Sequence, residues 1–143
     1  MREILFRGKR IDNGKWVEGY LYITHTGTCE IGCYNAETNI ERWTSDVDPA
    51  TVGQYTGLKG KNGKRIFEGD IVAFEDAVAD YEGYHDNVFV NHGAVSIYPY
   101  GGVSFSNRQT VEMDDLYDTD DSIDAEVIGN IHDNPELLKG GEV

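Results

Sequence analysis

The apolar positions of this chain fall into short runs with strand character, and no segment has the length and period of a long amphipathic helix. Residues 3–11 and 15–24 are rich in β-branched and aromatic side chains. Asn13-Gly14 between them is the dipeptide of a tight hairpin turn. In the second arm Trp16, Tyr20 and Tyr22 share one face while Val17, Leu21 and Ile23 share the other. A strand apolar on both faces predicts a central position with both faces covered.

Residues 29–34 and 40–43 predict a second, shorter pair around a polar turn at 35–39, with Ile31 and Cys33 alternating against Glu30 and Gly32. Asp48-Pro49 reads as an N-cap followed by Pro at the first helical position, and Gly53 leaves room for one turn only. Asn62-Gly63 marks another tight turn before Ile66-Phe67. Glu68-Gly69-Asp70 then delivers the run Ile71-Val72-Ala73-Phe74 into a strand, an entry that recurs in small SH3-like barrels.

Residues 75–86 mix acids, Tyr and Gly without period and predict an exposed, mobile loop. Strand-like runs resume at 88–90, 94–98 and 103–105 as a meander around Gly101-Gly102. Residues 111–124 are acid-rich, with Leu116, Tyr117 and Ile123 as anchors, and 125–131 read as a closing strand. Asn134 as N-cap and Pro135 at the first helical position start a short helix that Gly140-Gly141 ends. The sum is a mainly β, antiparallel chain with one or two short helical turns. It is built either as a small SH3-like barrel or as two packed β lobes. The expected organisation is a single domain over 1–143, with 1–60 and 61–143 as the alternative lobes.

Composition narrows the function classes. A chain of 143 residues can bury a self-sufficient core, and nine Tyr, five Phe and two Trp supply packing groups that disordered chains lack. The net charge of -14 is uneven: residues 1–66 carry 10 basic and 8 acidic side chains, residues 67–143 carry 2 basic and 18 acidic. Such a field repels phosphate backbones and anionic lipid, so direct nucleic-acid or membrane partners are not expected and a basic protein partner is easier to accommodate. Charges interrupt the apolar residues at the N-terminus, and no run approaches a membrane span. The expectation is therefore a soluble, cytoplasmic protein. Cys29 and Cys33 are too few for a disulfide scaffold and read as free thiols.

Three constellations bear on chemistry. His25, Cys29, Cys33 and His132 could assemble a zinc site, although a small Cys acting as a hydrophobe explains the thiols as well. Asp114, Asp115, Asp118, Asp120, Asp121 and Asp124 could gather Mg²⁺ or Ca²⁺. Their spacing misses the EF-hand loop, and a solvated face is the simpler reading. Glu68 and Asp70, beside a Gly at the start of a strand, are placed for acid–base work, and an Asp there also caps turns. Nucleophile-elbow, P-loop, dinucleotide and His-Glu-x-x-His signatures are absent from the sequence, which weighs against an enzyme, and no cofactor is expected.

The middle of the chain, Val52-Gly53-Gln54-Tyr55-Thr56-Gly57-Leu58, Lys61-Asn62-Gly63-Lys64 and Ile66-Phe67-Glu68-Gly69-Asp70-Ile71-Val72, resembles the signature block of the YopX family. Met1-Arg2-Glu3-Ile4-Leu5-Phe6-Arg7 and Trp16-Val17-Glu18-Gly19 precede it as expected. Val127-Ile128-Gly129-Asn130-Ile131-His132-Asp133-Asn134-Pro135-Glu136-Leu137 follows, so the resemblance spans nearly the whole chain. It implies a phage or prophage origin, a mainly β fold and a homo-oligomer, and it brings no catalytic residues with it. Within the signature, glycines at 53, 57, 63 and 69 leave Gln54, Tyr55, Thr56, Glu68 and Asp70 as the candidate binding residues, although turn geometry alone accounts for such glycines.

Three readings follow. The first is a non-enzymatic oligomeric binding or assembly module engaging a host or phage protein. The second is a metal-dependent hydrolase or nuclease using Glu68, Asp70 or the acidic cluster. The third is an acidic mimic of DNA that blocks a host nucleic-acid-binding protein.

Overall fold

A computed structural model describes residues 4–35, 40–78 and 87–139. The chain divides into two compact units, Met1–Tyr55 and Thr56–Val143.

In the first unit β1 (Phe6–Lys9), β2 (Trp16–Ile23), β3 (Cys29–Asn35) and β4 (Ile40–Asp46) form a meander, and the start of β5 (Gly53–Lys59) joins its open side. The Asn13-Gly14 turn closes the first hairpin through Arg10 N–H to Lys15 O at 2.8 Å and Gly14 N–H to Arg10 O at 3.0 Å. Phe6 lies opposite Gly19 and Gln54, so β1 is sandwiched between β2 and β5. The expected helical turn forms over Pro49–Thr51, where the Asp48 side chain accepts from Ala50 N–H at 3.0 Å.

Ile31 and Val47 are almost wholly buried here. β2 is central, as its pattern predicts, but its faces are not both covered. Tyr20 and Tyr22 are 47% and 41% exposed, and Ile23 is exposed as well. Central position satisfies the backbone in the plane of the sheet and places no demand on what lies over it. A Cβ on Gly32 would come within 2.6 Å of the Tyr22 ring, so the glycine makes room for the tyrosine. The Arg7 guanidinium lies 4.7 Å from the centroid of Trp16.

The second unit is built on an open four-stranded sheet. Its strands are β7 (Asp70–Val78), β8 (Asn87–Ile97), β9 (Val103–Phe105) and β12 (Ala125–Asn130), in the order β12-β7-β8-β9. β6 (Arg65–Phe67) and β11 (Ser122–Ile123) pair with β5, and β10 (Tyr117–Thr119) pairs with β11 after a one-turn helix α1 (Met113–Leu116). Among the described residues the ladders β1–β2, β1–β5, β2–β3, β3–β4, β7–β8, β8–β9, β7–β12 and β10–β11 are antiparallel, and Ser122 bridges Lys59 in parallel. Leu58, Ile66, Val72, Phe74, Val95, Phe105, Leu116, Ile123 and Ala125 form the core, with Phe74 and Phe105 5.4 Å apart at their centroids. Each large side chain so buried contributes about 1.5–3 kcal/mol.

Several expectations need correction. Among the described residues the strands close into no barrel: β12 and β9 are the two edges of an open sheet, and a three-residue β9 is too short to bring the ends together. The loop expected at 75–86 does not start at Glu75, because β7 runs to Val78; residues 79–86 lie outside the described part of the chain. The runs at 88–90 and 94–98 are one strand. Gly93 continues rather than breaks it, since the Ser106 carbonyl sits where a Cβ would project.

The turn at Pro135–Leu138 forms, but the Asn134 side chain does not cap it; that side chain accepts from Asn130 N–H at 3.3 Å instead. Leu137 O in that turn lies 2.7 Å from His92 Nδ1 on β8. No helix among the described residues is long and apolar enough to cross a membrane.

Candidate functional site

Along β7 the side chains of Val72, Phe74 and Asp76 fall on one face by strand alternation, and the first two enter the core. Asp76 follows them inward and is 2% exposed. A carboxylate taken out of water needs donors, and here the segment after β9 supplies them. Asn107, with φ of 67°, turns the chain. Gln109 N–H then donates to Oδ2 at 2.7 Å, and Thr110 and Val111 N–H donate to Oδ1 at 3.1 and 3.0 Å.

Asn91 Nδ2 on β8 donates to Oδ2 at 3.0 Å and also to Asn107 O at 2.8 Å, and Ala77 N–H donates to Oδ1 at 2.8 Å. Thr110 Oγ1 donates to Ala77 O at 2.7 Å. Burial alone would push this carboxyl up. The donors from Gln109, Val111, Asn91 and Ala77 outweigh it and hold the carboxyl at about 2, so Asp76 is an anion near neutral pH. It fastens residues 109–111 to the β7–β8 hairpin.

Beside this fastening lies a cleft of about 300 Å³ lined by Glu75, Asp76, Ala77, Val88, Thr110, Val111 and Asp115. Glu75 and Asp115 are exposed, and Val88 is 59% exposed. That volume is at the bottom of the range of small-molecule pockets, roughly 300–1,000 Å³, and suits a side chain better than a nucleotide or a cofactor.

The signature residues are placed otherwise. In the first unit Tyr55 is buried and donates its N–H to Leu5 O at 2.8 Å, while Gln54 is partly buried opposite Phe6. In the second unit Thr56 and Asp70 converge on β6. Thr56 Oγ1 donates to Ile66 O at 2.7 Å and accepts from Leu58 N–H at 3.1 Å, and Asp70 Oδ2 accepts from Phe67 N–H at 2.7 Å. Both are buried and hold a three-residue strand in place; Glu68 between them is partly exposed.

Leu116 and Ile123 anchor the acidic segment as expected, whereas Tyr117 is 38% exposed. Asp114, Asp115, Asp118, Asp120, Asp121 and Asp124 are all exposed, and Lys61 Nζ is 3.3 Å from Asp124 Oδ1. Among the described residues no group of three or more His, Cys, Asp or Glu side chains is placed to hold a metal ion. Cys29 is a half-buried free thiol, and the Cys33 side chain of the zinc set lies outside the described residues.

The sequence reading did not single out Asp76, Asn91 or Asn107. The signal for Asp76 was a charge at the i+4 position of an alternating run, Val72-x-Phe74-x-Asp76, whose other members are core residues.

Comparison with known proteins gives a consistent picture. The family model described as "YopX protein" matches residues 5–139. No curated protein matches the chain. A protein from Enterococcus faecalis known from its crystal structure is similar with a TM-score of 0.56 and 24% sequence identity, over 96% of this chain and 99% of that one. At that identity the likeness shows the fold alone.

Proposed function

This chain belongs to the YopX family, and we propose that it serves as a non-enzymatic binding and assembly module. In this reading it is phage- or prophage-encoded, acts in the cytoplasm of the bacterial host, forms a homo-oligomer and engages a host or phage protein, a basic one above all. The observation that carries the proposal is the exposed apolar surface on strands of the sheets. Tyr20, Tyr22 and Ile23 stand out of β2 in the first unit, and Val88 and Val90 stand out of β8 in the second. At the β8–β9 turn Tyr98 and Tyr100 stack at 5.3 Å, with Tyr100 82% exposed. Aromatic groups with few rotatable bonds provide contact area at low entropic cost.

The buried carboxylate that is best defined supports the same reading. Asp76 is held at about 2 with its oxygens occupied by internal donors, whereas a general acid or base works best with a pKa near the operating pH. The exposed acids of the Glu112–Asp124 segment favour a second reading, a DNA-like acidic surface that occupies a nucleic-acid-binding protein.

Light scattering and thermal unfolding test the proposal together, over a range of protein concentration and salt, with and without Mg²⁺, Mn²⁺, Ca²⁺ or Zn²⁺. The expected result is an oligomer that survives dilution and high salt, with a melting temperature that metal leaves in place. A monomer under all conditions would sink the assembly reading. A rise of several degrees with one metal would favour the hydrolase.

A further inference from the structure

We propose that the cleft beside Asp76 receives the cationic side chain of an Arg or Lys presented by a partner protein. The inference rests on the binding-module reading and names the chemistry of the partner. Glu75 and Asp115 stand at the exposed margin, and neither Lys nor Arg is among the lining residues. Asp76, although its oxygens are engaged, still adds a negative charge below the surface. The unit Thr56–Val143 contains 18 acidic and 6 basic side chains, a net charge of -12, so the long-range field also draws in cations and repels phosphate or carboxylate ligands.

Shape agrees with charge. Ala77, Val88 and Val111 present apolar walls suited to the methylene stem of Arg or Lys, whose charged end then reaches Glu75 and Asp115. The Thr110–Val111 wall is fixed by its hydrogen bonds to Asp76 and Ala77, so little ordering entropy is lost when the cleft is filled. The sheet face with Trp16, Tyr20 and Tyr22 offers no such selection, because Arg7, Lys9, Glu18 and Glu30 mix both signs on it.

The test is fluorescence anisotropy with a dye-labelled, unstructured Arg-Gly repeat peptide and its Glu-Gly counterpart, at low and at physiological salt. The wild-type protein is expected to bind the first and not the second. The double variant Glu75→Gln/Asp115→Asn should weaken binding about tenfold. The pair Asp118→Asn/Asp120→Asn removes the same charge from exposed positions outside the cleft lining and should cost less than about twofold. Val88→Ser, which leaves the charge unchanged, should weaken binding about threefold.

All five positions are exposed, and circular dichroism confirms that each variant folds. Equal weakening by the two charge pairs, or no effect of Val88→Ser, would overturn the cleft as the site while leaving a basic-partner module intact. No binding of the Arg peptide by the wild type at low salt would overturn the cationic partner itself, and the light-scattering result then decides the assembly reading separately.

Discussion

Asp76 and Asp115 line one cleft with the same functional group, yet their surroundings are opposite. Asp76 is buried under donors from Ala77, Asn91, Gln109, Thr110 and Val111, whereas Asp115 belongs to an acidic segment, 112–124, whose carboxylates are exposed. Three consecutive backbone N–H groups converge on Asp76 because Asn107 turns the chain. A carboxylate answers them as the charged cap of a helix would, without a helix. Along the acidic segment the aspartates stay in water, while Leu116 and Ile123, with Val111 and Met113 packed beside them, tie it to the core. Carboxylate content therefore says little by itself. Whether an aspartate fastens the fold or charges its surface depends on whether backbone donors point at it.

That contrast can be broken from either side. Replacing Asp76 by Asn keeps the shape but gives the N–H groups of residues 109–111 an amide that cannot accept from all of them, and the loss should be about 3 kcal/mol. The melting temperature of this unit should fall by roughly 10 °C, measured by calorimetry. Acid should act more gradually. The folded Asp76 pKa of about 2 lies below the ordinary 3.8, so its stabilisation is complete above the ordinary value and is lost as pH falls through about 2.

Denaturation at graded pH should reveal a loss of about 2 kcal/mol between roughly pH 5 and pH 2, a component that Asp76→Asn lacks. The smallest effect is expected on the exposed side. Asp118→Asn and Asp120→Asn should each stay within about 0.5 kcal/mol of wild type in urea titrations, with a slight gain at low salt from reduced repulsion. A cost as large as that of Asp76→Asn would mean that the exposed acids also carry structure.

Much of the architecture was legible from local signals. Asn13-Gly14 and Asn62-Gly63 sit in tight turns, Asp48-Pro49 caps one helical turn, and Ile71 to Phe74 lie inside a buried strand. Such signals read well because turn geometry and strand alternation are properties of a few neighbouring residues. The expected loop start at residue 75 was misplaced because Glu75 and Asp76 interrupt an apolar run, and a charge reads as solvent exposure when the donors to Asp76, 33 to 35 residues away, are unseen. α1 escaped notice because four residues with two aspartates carry too little period to register. Of the candidate residues, Asp70 was legible as a turn fastener, while the placement of Thr56 on the Ile66 carbonyl was not.

What the chain determined by itself was its strand-rich character, its family, its acidic half and the positions of its tight turns, all of which follow from residue identity and short spacing. Tertiary structure alone decided that the second unit's sheet stays open and that Tyr20 and Tyr22 remain exposed. It also decided that Asp76, Asn91 and Asn107 meet beside a cleft. The physical reason is that burial and hydrogen-bond convergence are set by which distant segments share a neighbourhood, and an aspartate carries the same pattern whether water or five protein donors surround it.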